Sequence, residues 1–150
     1  SLVLVEPRIV GAECTVGILG SQVLPIVEVR PHSGSYDYHS KYTKGATDYL
    51  CPAPFNAETT ARVQAAALGA FQAIGGRDYA RVDLMVTTAG EPVVLEVNTL
   101  PGFTPVSMYP KLWEASGLPF PRLVDRLVRL AFEGHARRRR LVTAYRPRPG

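Results

Sequence analysis

Two short stretches carry the residues that could do chemistry. "RVDLMV" places Arg81 and Asp83 two apart, and "VVLEVNTLPGFTPVS" places Glu96 and Asn98 two apart in an apolar run. A strand directs residues i and i+2 to one face, so each pair shares a face. If Thr87 pairs with Pro92 across a four-residue loop, Asp83 lies opposite Glu96 and Arg81 opposite Asn98. Slipping the register by two changes the partners but not the faces. Like charges facing each other in a bare sheet cost roughly 0.2–1 kcal/mol, and a bound divalent cation reverses the sign. Two carboxylates and an amide carbonyl are hard oxygen donors that suit Mg²⁺ shared with phosphates. An arginine on the same face adds a fixed cationic fork for an anionic oxygen. Mg²⁺ with arginine around phosphate is the equipment of phosphoryl transfer. The alternative is a surface ion-pair network on a half-exposed sheet, and spacing alone does not separate the two. Gly102, whose backbone can approach a ligand, and Ser107, just before an expected helix start, favour a site.

The elements that must position these residues follow from the pattern. "LVLVE" (Leu2 to Glu6) and "AECTVGIL" (Ala12 to Leu19) read as strands, and Gly20-Ser21 as a turn into "QVLPIVEVR". From Pro31 to Pro54 the chain is polar, tyrosine-rich and without period, and a loop that long carries function when it occurs in a compact domain. Asn56 caps an expected helix with Val63, Ala67, Ala70, Phe71 and Ile74 inward, ended by Gly75-Gly76. "YARVDLMV", a turn and "VVLEVN" form a hairpin, on which Val82, Leu84 and Val86 take the face opposite Arg81 and Asp83. A short helix is expected from about Tyr109 to Ala115. Another follows Pro121, with Leu123, Leu127, Leu130 and Ala131 inward. Antiparallel hairpins with interspersed helices make this α+β.

The chain has 150 residues, 46% of them hydrophobic and 20% charged, which bounds it to about one globular domain. No apolar run approaches the ~20 residues of a membrane helix. "SLVLVE" is too short for a signal peptide, and a start at Ser1 suggests a piece of something longer. Cys14 and Cys51 lack metal-site spacing, so reduced thiols in a cytoplasmic protein are expected. The net charge of +4 is local, because the six arginines after Ala136 account for it. Residues 1–136 are therefore expected as the domain and 137–150 as a disordered Arg/Pro-rich tail, with a polyanion contact as the alternative.

"YDYHSKY", "RVDLM" and "LEVNTLPGFTPVSMYP", in this order, resemble the C-terminal half of D-alanine–D-alanine ligases, members of the ATP-grasp superfamily. The resemblance runs from Glu6 to about Ala131. It implies the C-terminal lobe of an ATP-grasp domain, a mostly antiparallel sheet with flanking helices. It also implies ATP-dependent joining of two D-alanines through an acyl phosphate, for peptidoglycan precursors in the cytoplasm. By position it assigns Asp83, Glu96 and Asn98 to two Mg²⁺ (or Mn²⁺) ions, and Arg81 with the Gly102 N–H to the oxyanion. Ser107 and the Met108 N–H match the seat of the second D-alanine's carboxylate. Glu6, Arg8 and Ile9 match the adenine hinge, and Glu13 the ribose acid; Arg8 stands where some members carry an aromatic. Lys41 and Tyr42 match a loop that closes over ATP, and Tyr42 implies an amine as second substrate, not a hydroxy acid. A homodimer is implied for the full-length enzyme, with ATP and D-alanine as partners and neither membrane nor nucleic acid among them. The chain looks like about half of that enzyme, lacking the N-terminal half that holds the first D-alanine, and is not expected to catalyse alone.

Other chemistries fit less well. His32, His39 and His135 are scattered, and no Gly-x-Ser-x-Gly elbow, phosphate loop or dinucleotide fingerprint occurs. Without the resemblance, Tyr36, Tyr38 and Tyr42 read as anchoring their loop by packing. Two other functions remain: another ATP-grasp carboxylate–amine ligase that shares only the metal strands, and a non-catalytic polyanion-binding module.

Overall fold

The computed structural model describes residues 2–33, 43, 45–104 and 107–143, with side chains through 139. Strands β1 (Gly11–Leu19), β2 (Gln22–Val23), β3 (Val27–Pro31) and β4 (Thr47–Leu50) come first, then helix α1 (Ala57–Ala73). The hairpin β5 (Tyr79–Thr87) and β6 (Pro92–Asn98) follows, then helices α2 (Met108–Ala115) and α3 (Phe120–Thr143). All pairings are antiparallel, in the order β4-β3-β1-β5-β6, with β2 on β1. The fold is α+β, as expected.

The alternation along β1 and β5 divides the sheet into two chemically different faces. Cys14, Val16 and Ile18 of β1 and Ala80, Val82, Leu84 and Val86 of β5 form one core with Val63, Ala67 and Phe71 of α1. Each large side chain buried there contributes roughly 1.5–3 kcal/mol. The α1 residues recur every fourth position, and the Asn56 side chain accepts the Thr59 N–H at 2.8 Å to cap the helix. Ala70 is only half-buried, and Ile74 is exposed because it sits at the C-cap, beyond the last inward turn. On the other face, Leu19, Leu24 and Val27 pack with Tyr109, Leu112 and Trp113 of α2 and Leu123 of α3. Leu127 and Leu130 join that cluster, whereas Ala131 faces water.

The β5–β6 hairpin reaches the expected pairing by an unexpected route. Its loop is Thr88–Gly90, one residue shorter than expected. The Gly90 N–H bonds the Thr87 carbonyl at 2.8 Å, and the Thr87 N–H bonds Glu91 at 2.9 Å. Gly90 has φ 77°, the left-handed geometry such a three-residue loop requires. Val86 rather than Thr87 therefore opposes Pro92, and a bulge at Leu95 absorbs the spare residue. Beyond the bulge, Asp83 opposes Glu96 and Arg81 opposes Asn98. Without it, Val94 and Glu96 would share a face; with it, Val94 and Val97 both pack on the α1 side.

Four other expectations differ. Strand β4 (Thr47–Leu50) lies within the segment expected as a loop from Pro31 to Pro54, where pairing with β3 supplies the order that the polar sequence does not signal. Leu2–Glu6 form no strand, since an apolar run becomes one only where a neighbour accepts its backbone hydrogen bonds, and none of the described strands runs beside it. "QVLPIVEVR" is broken between β2 and β3 around Pro25, which has no N–H to give a ladder. Helix α3 continues through Arg137–Arg140 to Thr143, into the segment expected as a tail, because arginine is a strong helix former. Among the described residues no helix is long and apolar enough to cross a membrane.

Helix α2 is tied to the sheet by one buried polar bond, the Tyr109 hydroxyl donating to the Ile18 carbonyl at 2.6 Å. Tyr109→Phe removes that buried bond while keeping the ring, so it should lower stability by about 1 kcal/mol in chemical denaturation. An unchanged unfolding curve would mean that the bond contributes nothing.

Candidate active site

On the face away from α1, the sheet floors a cleft of about 1040 Å³. The strands deliver their residues in rows. Thr15, Asp83 and Glu96 are successive partners across β1, β5 and β6, and Gly17, Arg81 and Asn98 form the next row. Glu13 lies two residues before Thr15 on the same face and also lines the cleft. The segment after β6 and the start of α2 close one wall with Gly102, Thr104, Ser107, Met108 and Lys111.

A single guanidinium holds the two facing carboxylates. Arg81 Nη2 is 2.6 Å from Asp83 Oδ2 and Nε is 2.9 Å from Oδ1, while Nη2 stands 3.6 Å from Glu96 Oε1. The Thr15 hydroxyl donates to Asp83 Oδ1 at 2.6 Å. Burial alone would push the Asp83 carboxyl up, but the Arg81 bonds and charge, helped by Thr15, hold it below the ordinary value. The Asp83 side chain is 24% exposed and that of Glu96 61%, so one carboxylate is fixed and the other open to the cleft.

The second wall is built for close approach. A Cβ on Gly102 would lie 2.7 Å from the Ser107 hydroxyl, so any larger residue there displaces that oxygen. Ser107 does not cap α2 with its side chain; its hydroxyl accepts the Thr104 N–H at 3.0 Å and lies 2.8 Å from the Thr104 hydroxyl. Asn98 accepts the Leu100 N–H at 3.1 Å through Oδ1, which still has a second lone pair.

The cleft thus gathers Glu13, Arg81, Asp83, Glu96, Asn98, Gly102, Ser107 and Met108 of the expected residues. Glu6 and Arg8 are exposed and Ile9 half-buried, all three ahead of β1 and none on the cleft wall. Lys41, Tyr42, Tyr36 and Tyr38 lie outside the described residues. Sequence reasoning missed Thr15, Thr104 and Lys111. The face of Thr15 was legible, because Glu13, Thr15 and Gly17 alternate with apolar Cys14, Val16 and Ile18, but its bond to Asp83 was not. Both cysteines are free; burial, with Glu28 and Glu13 nearby, pushes the Cys14 thiol up to about 12, which makes it unreactive. The donor set of Asp83, Glu96 and the Asn98 carbonyl is all hard oxygen with one open carboxylate, and it fits a Mg²⁺-type ion.

Comparison with known proteins identifies the family. The family described as "D-ala D-ala ligase C-terminus" matches residues 1–129. The chain belongs to that family. It is 47% identical over 131 residues to the D-alanine–D-alanine ligase of Methylacidiphilum infernorum, covering 87% of this chain and 43% of that protein. The ligase structure from Coxiella burnetii superposes with a TM-score of 0.78 at 36% identity, over 93% of this chain and 37% of that one. The ligase structure from Bacillus anthracis complexed with ATP gives 0.73 at 35% identity, over 87% and 43%. The chain therefore spans about two fifths of the length of the ligases it matches, and its fold is the ATP-grasp C-terminal lobe.

Because its folded pKa is depressed, Asp83 stabilises the native state fully above its unfolded value of about 4, and that contribution is lost as pH falls through the folded value. Asp83→Asn should therefore flatten the loss of stability between about pH 5 and pH 2. Denaturation curves at several pH values test this, and parallel acid limbs for the two proteins would contradict it.

Proposed function

We propose that this chain is the C-terminal lobe of an ATP-dependent D-alanine–D-alanine ligase, and that the cleft is its nucleotide and second-substrate side. The observation that carries the reading is the pairing of Asp83 with Glu96, and of Arg81 with Asn98, on the cleft floor. The described lining carries three carboxylates (Glu13, Asp83, Glu96) against two cations (Arg81, Lys111), so it does not suit a bare polyphosphate. Asp83, Glu96 and Asn98 would hold two Mg²⁺, whose charge would screen the phosphates of ATP.

In the proposed reaction the carboxylate of one D-alanine takes the γ-phosphoryl group, giving an acyl phosphate and ADP. The amine of the second D-alanine adds to that carbonyl and loses a proton, and the C–O bond to phosphate then breaks. Arg81 and the Gly102 N–H are suited to the oxygen that becomes negative during addition, Arg81 by shifting part of its grip from Asp83. Ser107 and the Met108 N–H, at the start of α2, are suited to the carboxylate of the amine donor. The Thr104–Ser107 hydroxyl pair supports this: if Thr104 donates to Ser107, the Ser107 proton is left for a ligand. Glu13 is suited to a ribose. Glu6, Arg8 and Ile9 as an adenine hinge, Lys41 and Tyr42 as a closing loop, a homodimer and a cytoplasmic setting belong to the same reading.

The full-length protein containing this chain should release phosphate from ATP in proportion to added D-alanine and form a dipeptide. Absence of D-alanine-dependent phosphate release would end the reading. Within that assay, Glu96→Gln, which keeps shape and removes the open anionic donor, should lower kcat by about 100-fold or more. Glu58→Gln, on the exposed first turn of α1, should stay near wild type. Equal rates for the two variants would favour a simple ion-pair network.

A further inference from the structure

We propose that Thr15 on β1 is a positioning residue that keeps the Asp83 carboxylate aimed when a divalent cation displaces Arg81 from it; this rests on the reading of Asp83 as a cation ligand. Thr15 and Asp83 are direct partners in the ladder. The Thr15 hydroxyl has one proton and two acceptors, Asp83 Oδ1 at 2.6 Å and the Val82 carbonyl at 3.4 Å. The shorter bond, to a charged oxygen, takes it. Thr15 is 3% exposed, and a β-branched side chain on an interior strand has a restricted χ1, so its hydroxyl is a fixed donor.

Asp83 thus has two attachments of different character. Arg81 stands on the same strand, spans both carboxylates and uses both Asp83 oxygens. A divalent cation held by Asp83 and Glu96 would repel that guanidinium and compete for the Asp83 oxygens. Thr15 is neutral and reaches Asp83 from β1, on the side of β5 away from Glu96 on β6, so it does not compete. Once Arg81 yields, the Thr15 bond is what still fixes the carboxylate's rotamer. Partners that orient a ligand in this way change metal affinity by about 10–100-fold when removed.

The test uses the full-length protein with Thr15→Val, Thr15→Ser and Asp83→Asn. Mn²⁺ affinity in the presence of ADP is measured by electron paramagnetic resonance, and melting without ligands is measured beside it. Thr15→Val keeps shape and should weaken Mn²⁺ about 10-fold, and Thr15→Ser should restore most of it. If the valine variant does not fold, Thr15→Ala carries the same expectation. Wild-type Mn²⁺ affinity in Thr15→Val, with Asp83→Asn impaired, would overturn the proposal and leave the cation reading standing. A lowered melting temperature with unchanged Mn²⁺ affinity would also overturn it, since the bond would then be only structural. Wild-type affinity in Asp83→Asn would remove the cation reading and this proposal with it.

Discussion

Two carboxylates face each other across neighbouring strands, and one arginine holds them there. Asp83 and Glu96 are ladder partners, and the Arg81 guanidinium lies 2.6 Å from one and 3.6 Å from the other. Removing Arg81 would strand a mostly buried carboxylate. The cost should stay below the about 3–5 kcal/mol of a fully buried pair, because Asp83 keeps 24% of its side chain in contact with water. The arrangement is stable as it stands, yet it balances two negative charges with one positive charge. In the proposed reading, a cation that enters would complete the neutralisation and free the arginine for an anion.

The rest of the fold serves that arrangement. One face of β1 and β5 is closed by α1 with an apolar core, which anchors the strands. The other face is covered by α2 and α3 only near Leu19 and Leu24, and the remainder is left as the cleft floor. The Leu95 bulge reconciles the two demands on β6. It lets Val94 and Val97 reach the core while Glu96 and Asn98 reach the cleft, which a regular strand with two-residue alternation could not do. Bulges recur beside functional sites for this reason.

Much of this was legible in the residues. The i, i+2 placement of Arg81 with Asp83, and of Glu96 with Asn98, gave the facing pairs, and the i+4 recurrence with Asn56 gave α1. The bulge was not legible, because "VVLEV" has no glycine or break to mark it, and the error in loop length cancelled the missing bulge. β4 was missed because "TDYL" is an edge strand, half-exposed and polar, which carries no hydrophobic period. Thr15 was missed because a threonine suits any strand, and only the position of its neighbour across the ladder reveals its role. The helical arginines after Ala136 were read as a tail because charge pattern and helix propensity point in opposite directions there.

The claim that everything else rests on is that the Asp83–Glu96–Asn98 face takes a divalent cation bearing a nucleotide. Crystals of the full-length protein grown with Mn²⁺ and a non-hydrolysable ATP analogue test it most directly. Anomalous difference density for Mn²⁺ on this face, the ions between them within coordination distance of all three side chains and Arg81 turned away from Asp83, is the expected result. Nucleotide density with no such peak on this face, and Arg81 still bonded to Asp83, would contradict the account.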